Sequence, residues 1–319
     1  MRYSGVIERK TGDHARQRHS DYATKVPESE VIRIDSHALP DSRGNHGLQR
    51  ASGVGRVVLA GSAAGTRLVE EYQKFPVRVM FPAIAGRSAK EAVIVNSSGG
   101  VAGGDRLEFE VVALDNAEVA VTSQAAEKIY RAIDEPARIS TQLRAYGNAK
   151  LAWLPQETII FDQACVRRRT EIDIYEQSEL MALEWLVLGR AAYGEEISGG
   201  LISESWRIRL DGRLIWADGF HVEGDTFAQL HRKALLSKFK AMATLIYHGP
   251  DVDKRLQIMR SIAMSLQCQC VATAVGSLII VRAAAVTSFE LRKGLRSLIE
   301  RFGAELAPGP FAVPKMWSC

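Results

Sequence analysis

The chain reads as a mainly β protein: a large strand-rich body, sandwich- or solenoid-like, with a few helices in a small C-terminal α+β region at about 225–305. Three observations lead there. From Gly55 onward, short runs alternate apolar and polar residues with period two, as a half-buried strand does. Turn residues such as Asp115-Asn116 and Gly147-Asn148 punctuate those runs every ~8–12 positions, the rhythm of an all-β sandwich, barrel or solenoid. Apolar residues at helical spacing arrive late in the chain.

Taken in order, Leu107, Phe109 and Val111 alternate with Arg106, Glu108 and Glu110 before the Asp115-Asn116 turn. Ile139, Thr141 and Leu143 alternate with Arg138, Ser140 and Gln142 and close at Gly147-Asn148. Val166, Arg168, Thr170, Ile172 and Ile174 share one side of a strand, with Arg167, Arg169, Glu171 and Asp173 on the other. The triplet Arg167-Arg168-Arg169 is therefore divided between two faces; a surface for an acidic partner is the alternative. Trp206, Ile208 and Leu210 lead through Asp211-Gly212 into residues 213–216, a strong hairpin signal. A helix follows Gly249-Pro250, with Val252, Leu256, Met259 and Ala263 on one face and Asp251 and Asp253 suited to its first turn. A second spans about 288–302, opened by a Thr287/Glu290 capping box, with Leu291, Leu295, Leu298 and Phe302 along one side. Residues 226–239 are expected to form a third. Between the first two, 271–274 and 278–281 pair as a hairpin around Gly276-Ser277.

The 319 residues hold one large domain or two small ones, and 46% hydrophobic content supports a sizeable core. Lys and Arg (41) barely outnumber Asp and Glu (37), and no wide basic stripe of a nucleic-acid binder occurs. Cys165, Cys268, Cys270 and Cys319 are too scattered for a disulfide framework. Cys268-Gln269-Cys270 could grip a soft metal, but an apolar setting without a matching Cys/His pair reads as buried thiols. No run has the length of a membrane span, and residues 1–10 lack an apolar signal core, so the cytoplasm is the expected compartment. Residues 1–54 differ from the β-rich 55–319: they hold His14, His19, His37 and His46, mixed charge and few apolar groups. Such a segment is expected to be disordered; only Val31-Ile32-Arg33-Ile34 has strand character. Its histidine spacings fit no ligand template.

Two Gly-Gly pairs stand in Asn96-Ser97-Ser98-Gly99-Gly100-Val101-Ala102-Gly103-Gly104-Asp105. Glycine-rich backbone can cradle an anion, but a phosphate loop needs Gly-Lys-Ser/Thr opening a helix. Here Asp105 would repel phosphate and a strand follows. Gly99, Gly100, Gly103 and Gly104 are expected to be conformational, forming a corner between strands. No Gly-x-Ser-x-Gly or His-Glu-x-x-His occurs, and His221, His231 and His248 lie far apart. Asp105, Glu157, Asp162, Glu184, Glu195 and Asp218 are more informative, each at the end of an apolar segment or inside one. Glu184, within Leu183-Glu184-Trp185-Leu186-Val187-Leu188, is costly to bury unless paired, hydrogen-bonded or hydrated. It faces solvent from an edge strand, pairs with Arg190, or lines a polar path or partner contact. In Pro308-Gly309-Pro310-Phe311-Ala312-Val313-Pro314-Lys315-Met316-Trp317 the prolines disfavour helix, which leaves Phe311, Met316 and Trp317 on an extended arm.

Five ordered segments carry a family resemblance. They are the glycine-rich stretch 96–105, then Thr122-Ser123-Gln124-Ala125-Ala126-Glu127-Lys128-Ile129-Tyr130-Arg131, then Leu154-Pro155-Gln156-Glu157-Thr158-Ile159-Ile160-Phe161. Ala182-Leu183-Glu184-Trp185-Leu186-Val187-Leu188-Gly189-Arg190 and Pro314-Lys315-Met316-Trp317 complete the set. From about Gly55 to Trp317 the chain resembles the urease accessory protein UreD (UreH) family. It departs where Thr-Thr-Pro often opens the second motif and where Arg-Ile-Trp usually ends the last. The resemblance implies a β-rich maturation chaperone without turnover of its own. Such a protein binds apo-urease and, with UreF and the GTPase UreG, forms the complex that inserts nickel. It also implies an internal route for transient nickel rather than a stable cofactor, with the six carboxylates as polar lining or partner contacts. The arm 308–317 then either packs on its own domain or docks into UreF. Two other readings compete: an enzyme using the 99–105 loop on a phosphorylated substrate, and a nickel store built on the histidines of residues 1–54.

Overall fold

The computed structural model describes residues 50–83 and 89–318. Within them the chain steps back and forth between two sheets. β1 (Ser52–Ser62), β2 (Gly65–Lys74), β5 (Arg106–Ala113), β8 (Ala137–Ala145), β11 (Cys165–Ile174), β13 (Leu201–Leu210) and β14 (Arg213–Glu223) build the first, in the order β14-β13-β11-β8-β5-β1-β2. The second takes β3 (Val77–Met80), β4 (Lys90–Asn96), β6 (Glu118–Ser123), β9 (Lys150–Trp153) and β12 (Glu179–Leu188). Two short strands, β7 (Glu127–Ile129) and β10 (Thr158–Ile160), attach alongside β12. From β4 to β13, the short β7 and β10 apart, successive strands alternate sheets, and neighbours within each sheet run parallel: β5, β8, β11 and β13 in one, β4, β6, β9 and β12 in the other. Each coil thus lays one strand on each face, which makes the body solenoid-like.

The pleat explains the register. β8 and β11 align Thr141 with Thr170 and Leu143 with Ile172. A one-residue slip would turn every one of these side chains to the opposite face. Their inward faces meet those of β6, β9 and β12 in one apolar core that includes Leu107, Val121, Leu143, Leu151, Ile172 and Leu186. The arginine triplet divides as its period requires, with Arg168 inside and Arg167 and Arg169 exposed. At Asp211-Gly212, φ values of 49° and 79° make the hairpin turn between β13 and β14.

The C-terminal α+β part continues the second sheet. β15 (Ala241–His248) pairs antiparallel with β12, and β17 (Leu278–Ala285) and β16 (Gln269–Val275) follow outward. Helices α1 (Val252–Met264) and α2 (Ser288–Ala304) cover the outer face through Leu256, Met259, Leu291, Leu295, Leu298 and Phe302, a second apolar core. The Thr287/Glu290 capping box forms as expected, each side chain taking the other residue's backbone N–H.

The helix expected over 226–239 does not form. Gly224–Gln229 is a single stretch of 3₁₀ helix and the rest is turns, with Ser237 at φ 52°. Only Phe227 and Leu230 of this segment are buried in the core, while Leu235 is exposed. One buried contact per turn cannot hold a short helix, whose stability comes from packing an apolar face. The strand β1 begins at Ser52, so residues 52–54 belong to the body. His14, His19, His37, His46 and the run 31–34 lie outside the described residues.

Candidate functional site

The glycine-rich stretch carries the chain from β4 in one sheet to β5 in the other. Asp105 is its clamp: buried, it accepts hydrogen bonds from Ala51 N (2.7 Å) through Oδ1 and from Ala102 N (2.8 Å) through Oδ2. Gly99, Gly100 and Gly104 have φ of 78°, 151° and 83°, where side chains are disfavoured. Gly103 is different. Its φ is ordinary, but a Cβ there would lie 2.6 Å from the Glu135 carbonyl oxygen and 2.7 Å from Ala132 Cβ. Asp105 thus holds the corner through both carboxylate oxygens.

A group of buried charges lies where the solenoid gives way to the hairpin β13–β14. A cleft of about 400 Å³ opens there between the two sheets, lined by Glu184, Glu204, Trp206, Asp218, Phe220, Met242, Thr244, Cys270 and Arg282 among others. Period two places the charges. Glu184 shares its face of β12 with Ala182 and Leu186, which belong to the inter-sheet core, whereas Leu183, Trp185 and Val187 face the helices. Glu204 shares parity with Ile202, Trp206 and Ile208, and lies opposite Arg168 in the parallel register of β11 and β13.

Arg168 is the centre of the group. Its Nη1 donates to Thr158 Oγ1 (2.8 Å), its Nη2 pairs with Glu204, and its Nε lies 3.2 Å from Glu184 Oε2. Thr170 Oγ1 donates to Glu184 Oε1 at 2.7 Å. Buried charges are tolerated only when so paired. Burial would lower the Arg168 pKa, but the charges of Glu184 and Glu204 outweigh it and raise it further. Burial pushes the Glu204 carboxyl up, opposed by Arg168 and reinforced by Glu184. Towards the mouth, Arg282 pairs with Asp218 and donates to Thr244 Oγ1 (2.7 Å).

Of the six carboxylates singled out in the sequence, the structure gathers only Glu184 and Asp218 in this cleft. Glu184 is neither at an edge nor bound to Arg190: β12 is flanked on both sides, and Arg190 is held by Glu195 through Nε (3.1 Å) and Nη2 (2.7 Å). The Arg190 side-chain hydrogen bond leads in holding the Glu195 carboxyl below its usual value. Asp162 accepts from Ser198 N (2.6 Å) and Oγ (2.9 Å). Burial pushes the Asp162 carboxyl up, but these bonds outweigh it and hold its pKa low. Glu157 pairs with Arg292 of α2.

The arm over 308–317 packs back on its own domain. Phe311 and Trp317 are 3% and 2% exposed, while Met316 is half-buried. Trp317 Nε1 donates to Leu154 O (3.0 Å), its ring lies 5.8 Å from that of Trp185, and Arg292 sits over both indoles. With Phe311 and Trp317 buried, the docking-arm expectation gives way to self-packing.

Glu204, Arg282 and Glu127 escaped sequence reasoning. Glu204 was visible in principle, as a carboxylate on the apolar parity of β13. Glu127 was not, because only the fold brings both its carboxylate oxygens to Asn96 Nδ2 (3.2 and 3.1 Å). Burial pushes its pKa up to about 7. Burial likewise raises both thiols, Cys270 up to about 12, which disfavours thiolate ligation. Among the described residues no three His, Cys, Asp or Glu side chains gather to hold a metal ion, and no helix is long and apolar enough to cross a membrane.

A solenoid-like β body with buried, paired charges between its sheets is the class this geometry defines. The family model of the UreD urease accessory protein matches residues 51–318, and the chain belongs to that family. It is 39% identical over 272 residues to the urease accessory protein UreD of Rhizobium rhizogenes, covering 85% of this chain and 96% of that protein. The protein of the same name from Agrobacterium fabrum is 37% identical over 293 residues, covering 91% and 99%. That of Xanthobacter autotrophicus is 39% identical over 266 residues, covering 83% and 89%.

Proposed function

We propose that this chain is a cytoplasmic urease maturation chaperone without catalytic turnover, which binds apo-urease and, with UreF and the GTPase UreG, promotes insertion of nickel into the urease active site. The observation that carries this reading is the family match along residues 51–318. Nickel is cargo here, and it suits carboxylate, water and imidazole ligands. A route should hold the ion weakly. The cleft fits that need, because Glu184, Glu204 and Asp218 line it without forming a closed ligand cage.

The test is reconstitution from purified apo-urease, UreF, UreG, GTP and nickel, with and without this chain. Urease activation should require the chain, and the chain should co-purify with UreF. Equal activation without it would refute the proposal. The alternative of a nickel store rests on residues 1–54. It requires stoichiometric nickel binding that deletion of those residues abolishes while urease activation is untouched.

A further inference from the structure

We infer that Glu184 and Glu204 form a divalent-cation station which Arg168 holds shut, its guanidinium serving as a tethered cation in the place a metal ion would take. This gives the proposed interior route a gate, and it rests on that reading of the cleft.

Charge is the first argument. Two carboxylates, one from each sheet, converge on a single guanidinium, so the acidic side chains outnumber the one cation that holds them. Geometry is the second and independent of it. Glu184 is 5% exposed, and its Oε2, though 3.2 Å from Arg168 Nε, makes no hydrogen bond; Nε makes none either. The guanidinium therefore balances charge without satisfying that buried oxygen, which belongs to a residue of the cleft lining. A buried carboxylate oxygen left without a hydrogen bond is costly. A hard or borderline cation has no donor direction to match and could take it up.

The remaining shell is oxygen as well. Thr170 Oγ1 already touches Glu184, and Thr158 Oγ1 is occupied only by Arg168 in this cluster. Two carboxylates, two hydroxyls and water from the cleft suit a weakly held ion in transit. Arginine cannot release its proton in a protein, so the plug clears only when the side chain swings away. Asp218 and Arg282 form a single carboxylate–guanidinium pair nearer solvent, where Arg282 is 48% exposed and freer to move.

The test is nickel titration of the full chain by calorimetry, comparing wild type, Arg168→Gln and the triple variant Arg168→Gln/Glu184→Gln/Glu204→Gln. Arg168→Gln should gain one site at least about tenfold tighter than any that wild type has in the body, since a buried carboxylate pair without its countercharge attracts a cation strongly. The triple variant should lose it, which subtracts binding by the N-terminal histidines. A folded Arg168→Gln with the wild-type isotherm would overturn the inference. If Arg168→Gln does not stay folded alone, nickel must restore its melting transition by binding the native state; no restoration also overturns it. The gate and the function fail separately. Urease activation that ignores this chain removes the function and leaves the isotherm, whereas an unchanged isotherm removes the gate and leaves the function.

Discussion

Replacing Trp317 by alanine is the sharpest probe of how the C-terminal arm is held. The indole is 2% exposed, lies against Trp185 and carries a 3.0 Å hydrogen bond from Nε1 to the Leu154 carbonyl. Truncating a buried Trp to Ala costs about 3–5 kcal/mol, and the abandoned carbonyl adds about 1 kcal/mol. The arm can partly collapse into the gap, so about 4 kcal/mol is the working figure. At roughly 2 °C per kcal/mol for a body of this size, the melting temperature should fall by about 8 °C. Urea unfolding followed by Trp fluorescence and calorimetry would measure it. Trp317→Phe, which keeps a ring against Trp185, should cost less than half as much. A loss below about 1 kcal/mol for Trp317→Ala would refute the packed arm, since it would mean the indole is not buried in solution.

Three further perturbations follow from single contacts. Gly103→Ala should destabilise by about 1–3 kcal/mol, because its Cβ would press on the Glu135 carbonyl at 2.6 Å, whereas Gly99→Ala, with open space around it, should cost only about 1 kcal/mol of backbone strain; equal, negligible costs in chemical denaturation would contradict both. Glu127, raised from 4.5 to about 7, holds its proton in the native state where the unfolded chain has released it. Its contribution is present in full below pH 4.5 and is lost as pH rises through 7, to a limit of roughly 3 kcal/mol. Glu127→Gln should therefore flatten the decline in melting temperature between pH 5 and 8, and a variant that declines like wild type would disprove the assignment. Thr287→Ala removes the cap on α2 and should cost about 1 kcal/mol, read as a shift in denaturation midpoint without a change in slope.

Much of the strand pattern was open to reading because period two survives in a solenoid: Leu107/Phe109/Val111 and Ile139/Thr141/Leu143 are buried as their alternation requires. Which strand neighbours which was not, since alternation names a face and never a partner, and so sandwich and solenoid looked alike. Local devices were legible in full, as at Asp211-Gly212 and the Thr287/Glu290 cap. Residues 226–239 misled because Phe227 and Leu230 sit at helical spacing although each is anchored to the core of the β body. Of the cleft, Glu184 stood out as a carboxylate in an apolar run, and the alternation put Arg168 on the apolar side of its strand, but nothing local showed that the two, from different sheets, would pair. Long-range pairing of this kind leaves no mark in either local sequence.

The nickel content of urease from a urease-positive host lacking this gene is the most direct measurement of the proposed role. Maturation by this chain requires urease polypeptide at normal abundance but poor in nickel and activity, with both restored when the gene is returned. Fully nickel-loaded, active urease in the deletion strain, without added nickel, would contradict it.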